Sequence, residues 1–505
     1  MTNAGFPADD GTQIRPRVDG RTATTHAALV LIQRALQGFG GLIFAVVVPR
    51  MMGPQTFGVY ALVNSLAAWF VLLGGLGFTS VIARSMPGLS VQRGGSAFAR
   101  LAGNLLTLRL LCGGLAAVLY TLFTGLALVE LDRVLLWLVA GSIWLQGITT
   151  LYFAFFLGLN RADLWSAGDT LRRWLTVLFV PLGFWLAGLR GAGAALIVTE
   201  VIVVAFGMSW LPLRFSWPDL RPDAVRLAPY LRFGLIFFGS QLLFAAFQGG
   251  GELLLRLVSD DYVEVAHFAL AHSVYLSAAA AMPTLAWSFA PFLSGLLDSG
   301  DARTLAAWIE RLLTWFAVAG VVAALGCLFL ADAVTPLVFG ATYAPVATNL
   351  IPLSVALVML GLGTMTSLVA LVNGRPGEAL IASTVRLIAF WAFGIVLVAR
   401  WGSWGACLAI AGASAVHAAY SAWRMRVELG NAVERWGTTV GIGLLFVPLV
   451  WLRSSVALNG ALCLAAIAGY GVSLFLCGVL SMSDFRLLGE AFRSKVGIRE
   501  TAGKE

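Results

Sequence analysis

A polar face interrupts the first long apolar segment of the sequence, and it includes an arginine. Gln33 and Gln37 are four residues apart and Arg34 precedes Gln37 by three, so on a helix the three side chains share one side. An arginine inside a bilayer costs about 2.5–3.5 kcal/mol and usually faces a partner or a water-filled cavity. Since a guanidinium binds oxyanions bidentately, these residues are candidates for an anionic ligand. The alternative is that Arg34 reaches the lipid headgroups.

Other polar side chains occur in or beside later apolar segments. Arg109 lies about two turns into the third segment, where the same reasoning assigns it either to a cavity or to the headgroups. Arg50 and Arg256 lie at the opposite ends of their segments, where each can bind an anion during its release or simply contact headgroups. Asn64 can hydrogen-bond a sugar hydroxyl or bridge two helices.

Four titratable residues cluster around the seventh and eighth apolar segments. Glu252 ends the seventh, while Glu264, His267 and His272 lie in or near the eighth, with Glu264 and His267 three residues apart. A carboxylate or imidazole here can bind a coupling proton or cation. The alternative is an interfacial polar group, paired in the case of Glu252 with Arg256.

Motifs for catalysis, metals and cofactors are missing from the sequence. It contains no G-x-x-x-x-G-K-[ST] nucleotide loop, no H-E-x-x-H zinc motif and no pair of carboxylates that suggests catalysis. The five cysteines fall inside apolar segments without C-x-x-C spacing, so neither a disulfide framework nor a metal site is indicated. The sequence therefore predicts a protein that is not an enzyme and has no cofactor.

The elements that position these residues are apolar segments long enough to cross a membrane. Of the 505 residues, 59% are hydrophobic and 11% charged, which is too little charge for a soluble protein. The segments lack the alternation of a β-barrel. We predict an all-α polytopic membrane protein of about 14 transmembrane helices: 27–49, 59–82, 101–129, 134–158, 169–189, 191–213, 228–251, 263–291, 305–330, 346–372, 380–400, 402–423, 436–453 and 456–480.

The distribution of positive charge predicts an orientation. Of 33 Lys and Arg residues, about 25 fall in the two termini and the even-numbered loops, which the positive-inside rule places in the cytoplasm. Residues 1–26 and 481–505 are then cytoplasmic tails, in a multi-pass protein of the bacterial cytoplasmic (inner) membrane. The basic residues are scattered rather than clustered in a stripe, so no nucleic-acid partner is expected.

An internal repeat divides the chain. Residues 158–197 resemble 372–410, each with an Asn/Gly/Arg loop, an acidic residue and an arginine near a helix start, namely Arg172 and Arg386. We expect these arginines to serve topology by reaching the headgroups. The repeat predicts two six-helix lobes related by a pseudo-two-fold axis along the membrane normal. The predicted units are the lobes 27–213 and 233–424, a cytoplasmic inter-lobe loop 214–232 and two C-terminal helices within 436–480.

Residues 53–62, GPQTFGVYAL, resemble the G-x-x-x-F-G-x-Y-A-L signature of polysaccharide transporters. These are the Wzx-like lipid-linked oligosaccharide flippases of the multidrug/oligosaccharidyl-lipid/polysaccharide (MOP) superfamily. Glu252 occupies a position where the family often has Asp, followed by Leu253 in place of a basic residue. Residues 266–268, AHF, replace the expected G-x-Y. The resemblance extends over about residues 27–425.

The resemblance implies a function. A Wzx-like protein turns a polyprenyl-diphosphate-linked oligosaccharide from the cytoplasmic to the outer leaflet by alternating access, for the synthesis of O-antigen or exopolysaccharide. Partners would be the lipid-linked oligosaccharide, membrane lipid and the polysaccharide polymerase or export machinery. Two alternatives remain: a cation-coupled drug antiporter of the same superfamily, which needs an acidic cavity, and a membrane-embedded glycan polymerase or ligase, which needs a large outer loop.

Overall fold

A computed structural model describes most of the chain. For residues 20–35, 96–99, 162, 290–292 and 376 it describes the backbone alone. The described residues are 20–78, 82, 96–159, 161–211, 238–239, 241–259, 261–280, 282–283, 286 and 289–480.

Helices make up nearly all of the described chain, which contains no β-strand. Short 3₁₀ turns at Ala341–Tyr343 and Val447–Leu452 join some of them. The helices are α1 Gly20–Leu73, α2 Ser96–Ala127, α3 Arg133–Gly158, α4 Ala162–Trp210, α5 Gly250–Val258, α6 Tyr262–Ala279, α7 Ala290–Asp298, α8 Ala302–Phe339, α9 Pro345–Val372, α10 Pro376–Arg424, α11 Arg426–Leu429, α12 Ala432–Leu444 and α13 Val456–Leu476. The predicted all-α fold class is confirmed.

Three of the longest helices are interrupted by a glycine with a left-handed backbone. Gly53, Gly188 and Gly402 have φ angles of 71°, 58° and 51°, which L-residues with a Cβ seldom adopt. In α4, a Cβ on Gly191 would lie only 1.8 Å from the carbonyl oxygen of Gly183. Residues eight apart in a straight helix are separated by about 12 Å, so α4 reverses direction at its break and forms a hairpin.

Nine helices in the described part of the chain are long and apolar enough to cross a membrane. The breaks in α1, α4 and α10 fall between segments that the sequence analysis predicted as separate spans. The total of about 14 stays a prediction, since much of the seventh span and part of the eighth lie outside the described residues.

The internal repeat is visible in the structure. Helices α4 and α10 are each 49 residues long, and their breaks at Gly188 and Gly402 fall at the same position within each helix. The two helices therefore align at a constant offset in sequence, and Arg172 and Arg386 occupy equivalent positions. The predicted domain boundaries remain predictions.

The second glycine of the GPQTFGVYAL segment lies where the two lobes cross. Gly58, in the second half of α1, packs against the start of α6, where a Cβ on Gly58 would lie 1.8 Å from the carbonyl oxygen of Tyr262. Leu62 and Val63 of α1 and Val265 of α6 are buried in the same core. Only a residue without a side chain permits so close an approach of two backbones.

Large apolar side chains cover the outside of the bundle. Leu126, Leu337, Trp451 and Leu476 are each more than 75% exposed. Exposure of so many apolar residues is unfavourable in water but favourable against lipid tails, where the backbone polar groups are satisfied within helices. The protein is a multi-pass membrane protein.

Candidate functional site

A cavity of about 300 Å³ lies between the two lobes. Its first wall comes from the end of α1 and the turn that follows it, from α2 and from α3. Its second wall comes from Phe238 and residues 241–248, which precede α5. The lining is mostly apolar with a few polar groups, as is usual for ligand sites. The residues are Ala68, Val71, Leu72, Gly75, Gly77, Phe78, Arg109, Thr150, Leu151, Phe238, Gln241, Phe244, Ala245 and Gln248.

Arg109 is the charged residue in this lining. Its side chain is 4% exposed and lies about 20 Å along α2 from Ser96. Nε donates to the carbonyl of Gly147 at 3.0 Å, and Nη2 donates to the carbonyl of Val71 at 3.2 Å and to Oγ1 of Thr150 at 3.3 Å. Nη1 is buried and has no hydrogen-bond partner among the described residues.

The end of α1 and two glycines explain how the Arg109 side chain is held in this position. Val71 belongs to the last turn of α1, whose carbonyls have no intrahelical partner and form the negative end of the helix dipole. Glycines at positions 75 and 147 leave room for the guanidinium, since a Cβ on either would lie within 3.1 Å of it. Two nitrogens of Arg109 thus have a structural role, while Nη1 has a donor capacity that no described residue uses.

Two glutamines line the opposite wall. Gln241 and Gln248 are seven residues apart and both contribute to the cavity, as does Phe244 between them. Their amides can donate and accept hydrogen bonds, which suits hydroxyl-rich ligands. Our sequence analysis did not select these glutamines. Their two-turn spacing within an apolar segment is the signal that identifies them.

The polar face of α1 is only partly within the described structure. The side chains of Gln33 and Arg34 lie outside the described residues. Gln37 donates to the Asp169 carboxylate in α4, within the first lobe. Asn64 donates to the carbonyl of Tyr60 in its own helix at 2.8 Å. Gln37 and Asn64 are not among the residues that line the cavity.

Glu252 connects the two lobes. It is 7% exposed, and its carboxylate accepts a hydrogen bond from Ser65 of α1 at 3.3 Å while lying 3.8 Å from Nδ1 of His272. The His272 ring stacks on Phe268, and its Nε2 is buried without a hydrogen-bond partner in the described residues. The structure thus brings together two of the four predicted titratable residues.

The other two titratable residues have separate surroundings. Glu264 accepts a hydrogen bond from the backbone N–H of Ser403 at 2.6 Å, where the second half of α10 begins. A carboxylate at this position satisfies an amide that the helix leaves unpaired. His267 is 5% exposed and contacts the carbonyl of Thr342 at 3.4 Å.

The lobes meet at one end of the bundle, which we call the distal end because it carries the break at Gly53 and lies opposite Gly20, where α1 begins. Arg256 of the second lobe forms an ion pair with Glu130 of the first at 3.0 Å. Tyr343 donates to the carbonyl of Pro49 at 2.9 Å, and Arg50 donates to the carbonyl of Leu337. The distal end is therefore closed, and both Arg50 and Arg256 contribute to the closure.

The two arginines of the repeat do not extend to the headgroups as expected from the sequence. Arg172 forms an ion pair with Glu200 inside the first lobe. Arg386 is 8% exposed and lies over the ring of Phe247. The expectation of snorkelling is wrong for both, because each guanidinium has a buried partner within the bundle.

Comparisons with known proteins agree with this architecture. The family described as polysaccharide biosynthesis protein matches residues 27–294. No curated protein matches the sequence. Among solved structures, the lipid II flippase MurJ in an inward closed conformation is similar with a TM-score of 0.70 and 13% identity, covering 90% of this chain and 98% of MurJ.

A second solved structure is an inward-facing multidrug resistance MATE transporter of the MOP superfamily, with a TM-score of 0.63 and 17% identity, covering 81% of this chain and 99% of that one. These identities establish a shared fold. The family match covers more than half of the chain, and the protein therefore belongs to the polysaccharide biosynthesis protein family.

Proposed function

We propose that this protein is a flippase that moves a polyprenyl-diphosphate-linked oligosaccharide from the cytoplasmic to the outer leaflet. The observation that supports this most directly is Arg109, which belongs to the lining of the cavity between the lobes and whose Nη1 is buried without a partner among the described residues. A diphosphate is the kind of anion that a guanidinium binds strongly in surroundings of low dielectric constant.

The two walls of the cavity suit the two parts of such a headgroup. Arg109 binds the diphosphate, and Gln241 and Gln248 hydrogen-bond the hydroxyls of the first sugar. The remaining sugars need a wider opening than about 300 Å³, which separation of the lobes provides. The polyprenyl tail stays in the bilayer, against the apolar outer surface of the helices. Gln33, Arg34 and Gln37 remain sequence-based candidates for further contacts with the headgroup.

Transport proceeds by alternating access between the lobes. We infer that the distal end is the outer side of the inner membrane, so this structure represents a state closed to the outside, with both termini in the cytoplasm. Breaking the Arg256–Glu130 ion pair and the Tyr343–Pro49 hydrogen bond opens the outer side. Arg50 and Arg256 are then free to contact the departing diphosphate. Polymerase or export machinery receives the product.

Glu252 and His272 are the residues we assign to ion coupling. Their carboxylate and imidazole are buried together, and Ser65 ties the carboxylate to the other lobe. Uptake of a proton or cation changes the net charge of this pair and hence the strength of the contact between lobes. Glu264 and His267 are weaker candidates, since each already has a backbone partner.

A drug antiporter is the second candidate, and the cavity disfavours it. A cationic drug requires a negative cavity, whereas the lining contains an arginine and no Asp or Glu among the described residues. A glycan polymerase or ligase is disfavoured as well, because the helices leave no long connection between residues 96 and 211 or between 289 and 480 for an outer catalytic loop.

The test replaces Arg109 and measures glycan export in cells that lack the native gene. Arg109→Gln removes the charge, and we expect export to fall by at least about tenfold, since a charge-assisted hydrogen bond contributes about 1.5–3 kcal/mol. Arg161→Ala is a matched control, because Arg161 is exposed and pairs with Asp163 away from the cavity. Normal export by well-inserted Arg109→Gln protein would contradict the proposal.

A further inference from the structure

The repeat in α4 and α10 allows the two lobes to be compared residue by residue. Arg172 and Arg386 occupy equivalent positions in the first halves of the two helices, and Glu200 and Ser414 occupy equivalent positions in the second halves. The arginine is therefore present in both lobes, whereas the carboxylate is present only in the first.

In the first lobe the buried charge is neutralised. Nε of Arg172 lies 2.7 Å from Oε1 of Glu200, which is 5% exposed. The second carboxylate oxygen accepts a hydrogen bond from Thr149 at 2.8 Å. Both carboxylate oxygens are thus engaged, as a buried ion pair requires.

In the second lobe the equivalent arginine has no carboxylate partner among the described residues. Arg386 is 8% exposed, and its Nε is fully buried without a hydrogen-bond partner. Ser414, which occupies the position of Glu200, is buried and supplies no charge. The guanidinium lies 4.2 Å from the centre of the Phe247 ring, a cation–π contact.

This contact is a weak substitute for a counter-charge. A ring face attracts a cation through its quadrupole, which compensates less of the desolvation cost than an ion with full negative charge does. Phe247 directly precedes Gln248, which lines the cavity between the lobes. The guanidinium of Arg386 therefore contacts the helical segment that carries Gln248, at the residue directly before it.

We propose that Arg386 is an oxyanion-binding residue, with Phe247 occupying the place of the anion until it arrives. His417 belongs to the same site, because it is 5% exposed, interacts electrostatically with Arg386 and has a buried Nε2 without a partner in the described chain. The site rests on the proposed function, whose substrate carries oxyanions. Two sources share this chemistry: the phosphates of the lipid carrier and the carboxylate of an acidic sugar.

The equivalent positions of Glu200 and Ser414 suggest the variant that tests whether Arg386 binds an oxyanion. Ser414→Glu places a carboxylate where Glu200 stands in the first lobe, and it should neutralise Arg386 internally. Ser414→Gln has nearly the same size without the charge, so it controls for crowding at this buried position. We expect the Glu variant to be the more heat-stable of the two and to bind oxyanions more weakly.

The measurement is thermal stabilisation of the purified full-length protein by inorganic pyrophosphate or by glucuronate, over a range of concentrations. For the Ser414→Glu protein we expect the half-saturating concentration of the effective probe to rise by about tenfold to a hundredfold relative to Ser414→Gln, as when a charged hydrogen-bond partner is lost. A response to pyrophosphate identifies phosphate as the ligand, and a response to glucuronate alone identifies the sugar acid.

Equal binding by the two Ser414 variants would overturn the site, as would the lack of any stabilisation of the wild-type protein by either probe. Glycan export in cells is measured on the same variants, so that the site and the proposed function are tested separately. If the wild-type protein binds an oxyanion but does not restore glycan export in cells that lack the native gene, the flippase assignment is overturned and the oxyanion site stands.

Discussion

Gly58 lies at a very close backbone approach between the two lobes, and its replacement by alanine tests that geometry directly. A Cβ at this position would lie 1.8 Å from the carbonyl oxygen of Tyr262, whereas real Cβ atoms are essentially never closer than 3.0 Å to another heavy atom. The clashing atom belongs to the backbone, so no side-chain rotation relieves it. Gly58→Ala therefore requires α1 and α6 to move apart by more than about 1 Å.

The expected cost follows from two opposing effects. Overpacking a close-packed contact costs about 1–3 kcal/mol, while alanine is favoured over glycine within a helix by about 0.8–1.0 kcal/mol. Because helix backbones must shift, we expect a cost at the upper end of the range and a net loss of about 2 kcal/mol. The separation also loosens the distal end.

The assay is thermal unfolding of the purified protein in one detergent, with Gly38→Ala as the matched control. Gly38 lies in the same helix, but no heavy atom lies within 4 Å of the position a Cβ would take. We expect Gly38→Ala to be neutral or slightly stabilising and Gly58→Ala to lower the melting temperature. Equal melting temperatures for the two variants would refute the close crossing.

Three further predictions concern charged groups. Glu200→Gln leaves the partly exposed guanidinium of Arg172 without its carboxylate and should destabilise the first lobe by about 2 kcal/mol; melting at the wild-type temperature would contradict this. Glu252→Gln should abolish the dependence of transport on an ion gradient in membrane vesicles, and an unchanged dependence would exclude Glu252 from coupling. The hydrogen bond from Arg190 lowers the pKa of the exposed Asp132 carboxyl below its ordinary 3.8. Its stabilising effect is therefore present above pH 3.8 and lost as the pH falls through the lowered pKa. Asp132→Asn should accordingly be less stable than wild type at about pH 6, and the two proteins should be equally stable well below the lowered pKa. A difference in stability that is the same at both pH values would contradict a stabilising role for the ionised carboxylate.

The helices and their repeat could be predicted because they depend on local properties of the sequence. Apolar length sets the spans, and glycines such as Gly188 and Gly402 mark where a long apolar stretch must turn back. Gly58 was recognisable as part of a signature, but only the structure explains it. Its requirement comes from Tyr262, about two hundred residues away.

The partners of polar side chains were not predictable in the same way. Arg109 was selected with an undecided role, and the structure shows that it has both a structural part, at Val71 and Gly147, and a nitrogen without a partner in the described chain. Whether Gln241 and Gln248 line the cavity depends on which side of their helix faces the first lobe. Tertiary packing decides which side of a helix faces its neighbour, and the mean hydropathy of the segment does not predict that side.

Duplication makes the differences between the lobes more informative than their similarities. Equivalent positions inherit the same backbone surroundings, so a residue kept in both lobes, such as the arginine at 172 and 386, is explained by the scaffold. A residue that differs, such as Glu200 against Ser414, changes the charge of an otherwise matched site. The first lobe thereby holds a neutral core in this region, and the second holds a positive one. A carrier of an anionic headgroup needs such an excess of positive charge near the path between its lobes. In a bundle whose charges are all paired, no interaction would compensate the free energy that a diphosphate loses when its hydration is removed.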